Sequence, residues 1–238
     1  MRNPSASRRH ILITTSSALA GMALLPSSLA RAAAKKKEEG EEVGAVEDLM
    51  REHGVLRRAL LVYSEAAASM RAGTEVDAAA LNKTARLFRA FGEDYHERQL
   101  EEAYILPAIR KIRSVQHYAD VIVAQHQRGR EITDYILKVT GKGKIGGAGD
   151  EAFPRVLDAF VRMYQNHTAR EDTVVFPAWK NSLSKARLHE LSETFEEIEH
   201  KQFGKDGFED AVKQIAQVEQ ALGLGDLARF TAPPPPAS

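Results

Sequence analysis

The chain has 238 residues, with 33 Lys and Arg against 33 Asp and Glu, so its formal charge is zero. Four Arg and no acid fall in residues 1–32, which leaves the remainder 29 basic and 33 acidic residues, a net charge of −4; a protein that tracks phosphates needs a basic surplus, so the charge argues against a nucleic-acid partner. The absence of Cys excludes disulfides, a lipoprotein anchor, thiolate zinc sites, iron–sulfur clusters and a catalytic thiol.

The N-terminus reads as an address. Arg8-Arg9 is a twin-arginine pair, Ile11 to Leu25 is a modestly apolar stretch too short to span a bilayer comfortably, and Ala30-Arg31-Ala32 is a small-x-small cleavage site. Residues 1–32 therefore resemble a bacterial Tat signal peptide. That resemblance implies export through the Tat machinery to the periplasm, with a mature start at Ala33. The Tat route carries folded proteins, often with the cofactor inserted. No second long apolar run follows, so no membrane span is expected.

Residues 33–44 form a charged, mobile lead-in. From Val46, apolar residues recur at helical spacing through Leu49, Met50, Leu56 and Leu60, with His53 inside the stripe. Ala72-Gly73-Thr74 breaks this helix. Asp77 caps a second, running through Leu81, Leu87, Phe88, Phe91 and Tyr95 to an end near Pro107. Ser114 is the expected cap of a third, through Ile122, His126 and Ile136. The run from Gly141 to Gly149 is a flexible connection, since it lacks the Gly-Lys-Ser/Thr ending of a phosphate-binding loop. A fourth helix starts at Asp150, tolerates Pro154 in its first turn, and carries Leu157, Phe160, Tyr164, His167 and Glu171; Pro177 marks a kink or end. Residues 184–203 form a Glu-rich fifth helix and 208–222 a sixth. Strand-like alternation is absent. The fold expected is all-α: an antiparallel up-down-up-down four-helix bundle over residues 45–182, a helical extension over 183–224, and a disordered Pro-rich tail over 225–238.

An internal repeat carries the chemistry. The first half has Glu52-His53-x-x-x-Arg57, then His96, then Glu101-Glu102-Ala-Tyr-Ile-Leu-Pro107-Ala; the second has Gln125-His126-x-x-x-Arg130, then His167, then Glu171-Asp172-Thr-Val-Val-Phe-Pro177-Ala. His53 and His96 are 43 residues apart, His126 and His167 41. A lone His on an apolar stripe is more often a hydrogen-bonded core residue than a ligand, and a Glu on a helix is usually solvated. Here His167 and Glu171 share one helix face, and that face points to the core. A buried carboxylate without a cation is costly, and the same set occurs twice. Imidazole with carboxylate suits iron best, manganese or zinc less well.

This layout, with the Glu-Asp-Thr-Val-Val-Phe-Pro-Ala ending, resembles the hemerythrin-like HHE cation-binding domain over roughly residues 43–182. The resemblance implies a four-helix bundle around a non-haem di-iron centre that binds oxygen, nitric oxide or related small ligands such as peroxide. It also implies His53, His96, His126 and His167 as terminal ligands, with Glu101 and Glu171 as bridges.

Two departures from the family pattern shape the expectation. Oxygen-carrying hemerythrins have a second His four residues after the third-helix His, where this chain has Arg130. Two octahedral ions offer about twelve positions, and the expected protein ligands plus a bridging oxygen leave about two open. That favours water, nitric oxide or peroxide over reversible oxygen carriage. Arg130 and its counterpart Arg57 are expected to reach solvent rather than pair with carboxylates. Second, Glu101 follows His96 by five residues, a rotation of about 140° from it in an α-helix; Glu101 and Glu171 each lie six before a Pro, so one extra residue must be absorbed, as a π-bulge would do. Glu102, Asp172 and Glu97 stand as alternative ligands.

Other readings remain beside this one. An oxidase, peroxidase or ferroxidase would use the same centre. Glu93-x-x-His96 and Glu197-x-x-His200 match the ferritin-like Glu-x-x-His signature, but that reading leaves His53, His126 and His167 without roles. An acidic fifth-helix face (Glu190, Glu193, Glu196, Glu197, Glu199) could bind a protein partner, though such runs are usually wet helix faces. His117, His189 and His200 are expected at the surface, and Trp179, the only Trp, at one end of the bundle.

Overall fold

The structure, a computed structural model, describes residues 43–143, 145 and 151–236, and its regular structure there is entirely helical. The proposed signal peptide, all of the lead-in but residues 43 and 44, and most of the glycine-rich connection lie outside the described residues.

Four long rods carry the core. The first, α1 (Ala45–Arg71), buries Val46, Leu49, His53, Leu56 and Leu60 along one face, and Glu47 and Asp48 in its first turn complement the positive end of the helix dipole. Gly73 reverses the chain at φ 71°, a conformation that costs side-chain-bearing residues. The Asp77 carboxylate then accepts the Ala79 and Ala80 N–H groups at 2.8 and 3.2 Å, so the expected cap is present. It opens α2 (Ala78–Leu87), which continues unbroken into a π-helical segment (Phe88–Ile105) and a last α-helical turn, α3 (Leu106–Ile109). The third rod is α4 (Gln116–Thr140); the fourth is α5 (Ala152–Arg170), with a second π-helical segment (Glu171–Val175) and α6 (Phe176–Asn181). Val115, not Ser114, occupies the N-cap position of α4, and no side chain caps that helix.

The two prolines bend the hydrogen-bond pattern without ending the rods. Pro107 and Pro177 lack an N–H, and a proline ring crowds the carbonyl four residues back. The N–H just before each proline bonds five residues back, Leu106 to the Glu101 carbonyl and Phe176 to the Glu171 carbonyl. The widened turn relieves the crowding and lets each rod run on to Ile109 or Asn181.

Inside the rods, α1 packs most extensively on α5, and α2 with its π-helical continuation packs on α4. The extension, α7 (Lys185–Phe203) and α8 (Gly207–Ala221), lies against α1, with α8 also on α2 and α7 on the first π-helical segment. It is anchored by buried Leu191, Phe195, Ile215 and Val218. Trp179 is buried and stacks on Phe195, with ring centroids 6.0 Å apart. Arg58 grips Glu219 through two nitrogens. Glu190, Glu193, Glu196 and Glu197 are exposed, whereas Glu199 is half-buried and accepts the Phe208 N–H at 2.7 Å at the start of α8.

One glycine sets a close approach. A Cβ on Gly129 would stand 2.0 Å from the Tyr164 hydroxyl oxygen. Gly129→Ala would gain about 1 kcal/mol of helix propensity but lose about 1–3 kcal/mol to overpacking against a rigid ring. We expect net destabilisation, read as a lower urea midpoint at unchanged slope.

Candidate metal centre

The α1, α4 and α5 stripes and the two π-helical segments turn four imidazoles and two carboxylates to one place. His53, His96, Glu101, His126, His167 and Glu171 are all buried, none more than 4 % exposed. Nε2 of His53 lies 3.0 Å from Nε2 of His96, and Nε2 of His126 lies 3.3 Å from Nε2 of His167. Each carboxylate spans the two imidazole pairs. Glu101 Oε1 is 3.4 Å from His96 Nε2 and its Oε2 3.1 Å from His126 Nε2; Glu171 Oε2 is 3.5 Å from His53 Nε2 and 3.0 Å from His167 Nε2. The five-residue step from His96 to Glu101 falls inside the π-helical segment, whose wider turn returns residue five to the same face.

The outer nitrogens explain why the inner ones point inward. Nδ1 of His53 donates to Asp172 at 2.6 Å, His96 to Glu52 at 2.5 Å, His126 to Glu102 at 2.9 Å and His167 to the Gln125 carbonyl oxygen at 2.9 Å. Those acceptors fix the proton on Nδ1 and leave the Nε2 lone pair for the centre. The two halves interlock: the residue before each first His holds the second His of its own half, and the residue after each bridging Glu holds the first His of the other half. Arg57 pairs with Asp172, and Arg130 donates to Glu102 at 2.9 Å and to Glu97 at 3.2 Å. The expectation that these arginines lack carboxylate partners is thus overturned, because a carboxylate already gripping a His stands one helix away from each; Arg57 still keeps 43% of its side chain exposed, whereas Arg130 keeps 13%.

The alternative ligands have other partners. Glu102 and Asp172 hold imidazole Nδ1 atoms. Glu97 accepts the Tyr164 hydroxyl at 2.7 Å besides Arg130, and Glu93 accepts the Thr133 hydroxyl at 2.6 Å. His117, His189 and His200 are exposed, so Glu197-x-x-His200 contributes nothing to this cluster. Glu52 and Gln125 were visible only as neighbours of the repeat, and Glu102 and Asp172 as alternative ligands; the role of all four as imidazole partners depends on how the rods face each other.

The cluster fits a pair of metal ions. All four carboxylate oxygens of Glu101 and Glu171 are buried without a well-aligned hydrogen bond, a costly state unless a cation satisfies them. Neighbouring donors held at about 2.0–2.1 Å from one ion stand about 2.9–3.4 Å apart, close to the observed 3.0–3.5 Å separations. One donor atom from each of Glu101, His126, His167 and Glu171 falls within 4.8 Å of the others, as do donors from His53, His96 and Glu101.

The same cluster perturbs its own protonation. Burial drives the Glu171 carboxyl well above its ordinary range, and the Glu101 charge drives it further. Burial also raises Glu101, but His96 and His126 hold it well below. Burial pushes the His96 and His126 rings down, yet facing carboxylates (Glu101 and Glu52 for His96; Glu97, Glu101 and Glu102 for His126) carry both well above the usual imidazole value. His167 is pushed down to about 4, by burial and then by His126. Metal ions must displace the raised protons, so affinity should climb about tenfold per pH unit for each proton released. The metal-free protein should respond oppositely. The stability contributed by raised His96 and His126 is fully present below about pH 6.5 and is lost as pH rises through their folded values. Titrating metal and unfolding the metal-free chain between pH 6 and 8 checks both signs.

The description "Hemerythrin HHE cation binding domain" belongs to a family whose model matches residues 44–179. Uncharacterized proteins of Mycobacterium tuberculosis and Mycobacterium bovis are each 39% identical to the chain over 231 residues, covering 94% of it and 90% of the relative. No solved structure matches significantly.

Proposed function

The chain belongs to the hemerythrin HHE cation-binding family, and from that membership we propose that it holds two iron ions and binds oxygen, nitric oxide or peroxide at them. His53, His96, His126 and His167 serve as terminal ligands; Glu101 and Glu171 bridge. The rods form an antiparallel up-down-up-down bundle, a reading supported by the short links between them. The observation that carries the proposal is the pair of buried carboxylates, each lying between two imidazole pairs with its oxygens otherwise unsatisfied.

When bound, the irons supply open coordination positions and one-electron chemistry. The protein's own residues do the rest. Asp172, Glu52, Glu102 and Gln125 orient the imidazoles, Arg57 and Arg130 hold two of those acceptors, and the aromatic core around Tyr164 and Phe160 excludes water. Arg130, at the position of a fifth His in oxygen carriers, leaves that position to an exogenous ligand. Twin-arginine export of the loaded protein to the periplasm completes the reading; no helix among the described residues is long and apolar enough to cross a membrane. Absorption spectra of iron-loaded protein before and after azide or nitric oxide test it: new ligand bands are expected, and unchanged spectra would reject small-ligand binding.

A further inference from the structure

Tyr95 precedes a proposed ligand in sequence yet turns its hydroxyl elsewhere. It is 1% exposed and donates to Glu52 Oε1 at 3.0 Å. The other oxygen of that carboxylate takes the His96 Nδ1 proton at 2.5 Å, and His96 Nε2 faces the centre. A buried phenol is therefore two hydrogen bonds from an imidazole of the metal cluster.

In the other half Tyr164 meets the His167 ring edge-on, with centroids 5.4 Å apart, but no phenol there is hydrogen-bonded to a carboxylate that itself holds an imidazole. There Gln125, a neutral amide, holds the imidazole of His167. Position 166, the counterpart of Tyr95, is an exposed Asn whose amide bonds the Arg162 carbonyl at 2.9 Å. Tyr164 is buried too, but its hydroxyl goes to Glu97, whose second oxygen goes to Arg130 rather than to an imidazole. On its outer side, the Tyr95 ring meets half-buried Phe203 edge-on, with centroids 5.3 Å apart. The chain contains no Cys that could be oxidised in its place.

We propose that Tyr95 is a one-electron donor to the metal pair during reduction of hydrogen peroxide, a role that rests on the di-iron reading above. Reducing one peroxide to two waters breaks the O–O bond and consumes two electrons and two protons. Where one iron of the pair is already ferric, one electron would come from the remaining ferrous ion, which becomes ferric. The other comes from Tyr95, whose O–H bond breaks to leave a neutral phenoxyl radical while its proton passes to Glu52 Oε1. Solvent provides the two protons for the waters. An exogenous one-electron donor then restores the phenol, and Glu52 returns the proton. Losing the electron without the proton would strand a cation in a buried site; the carboxylate hydrogen-bonded to the hydroxyl removes that penalty.

Full-length protein loaded with ferrous iron, its metal content measured and one electron per pair withdrawn with ferricyanide, is mixed with hydrogen peroxide, frozen rapidly and examined by electron paramagnetic resonance. The expected result is an organic radical whose hyperfine structure collapses when the tyrosines are ring-deuterated. Tyr95→Phe should lose this signal while keeping its iron, and Tyr164→Phe should retain it. Iron-loaded wild type without a radical, a radical undiminished in Tyr95→Phe, or a radical lost in Tyr164→Phe instead would overturn the inference and leave the di-iron reading standing. Loss of iron from Tyr95→Phe would make Tyr95 a structural partner of Glu52 and likewise overturn it. A wild-type chain that takes up no iron would overturn both.

Discussion

Glu171→Ala is expected to abolish assembly of the metal pair, the largest single-residue effect in this protein. Glu171 is fully buried, and its Oε2 sits between His53 and His167, one imidazole from each pair. On the di-iron reading, removing it would take a donor from both ions at once and leave neighbouring imidazoles without a shared anion. Changing an outer partner weakens metal binding by about 10–100-fold, which is the effect expected for Asp172→Asn at the His53 Nδ1. Loss of a shared ligand should exceed that range, so Glu171→Ala should purify with at most one ion per chain. Metal analysis beside Asp172→Asn checks the ranking; equal metal content in the two variants would place Glu171 outside the centre. Glu101→Ala should match Glu171→Ala, since Glu101 reaches His96 and His126 in the same manner.

Removing the metal should cost the fold as much as a severe core mutation. A ligand at a hundred times its dissociation constant contributes about 2.7 kcal/mol to the folded state. In a domain of this size each kcal/mol corresponds to about 2–4 °C of melting temperature. Chelation should therefore lower the melting temperature by at least about 5–10 °C per tightly held ion. The helices themselves should persist, because the apolar core of Leu49, Phe88, Phe160 and Trp179 does not depend on the ions. Calorimetry with and without a chelator, alongside far-ultraviolet circular dichroism, reads both. An unchanged melting temperature would mean the buried carboxylates are satisfied without cations.

Much of this architecture was legible because its signals are local. The helical spacing of Val46, Leu49, Leu56 and Leu60, the cap at Asp77, and the doubled His and Glu positions ahead of Pro107 and Pro177 each lie within a few residues in sequence. The five-residue gap from His96 to Glu101 pointed to a bulge, and an 18-residue π-helical segment contains it. The second π-helical segment was not foreseen, since His167 and Glu171 keep ordinary α-helical spacing and the widened turn begins only at Glu171. The carboxylate partners of Arg57 and Arg130 were missed for a different reason. A helical Arg with no known neighbour defaults to solvent, whereas Asp172 and Glu102 approach from another rod, across 115 and 28 residues of chain. Likewise Glu199 looked like one more acid on a wet face, until α8 folded back to place the Phe208 N–H there.

The central claim is that six side chains from two repeated halves hold two adjacent metal ions. Metal quantification combined with X-ray absorption on the full chain tests it most directly. The account predicts two iron ions per chain, nitrogen and oxygen neighbours only, and metal–metal scattering within about 4 Å. A single isolated ion, or a chain that takes up no iron, would contradict it.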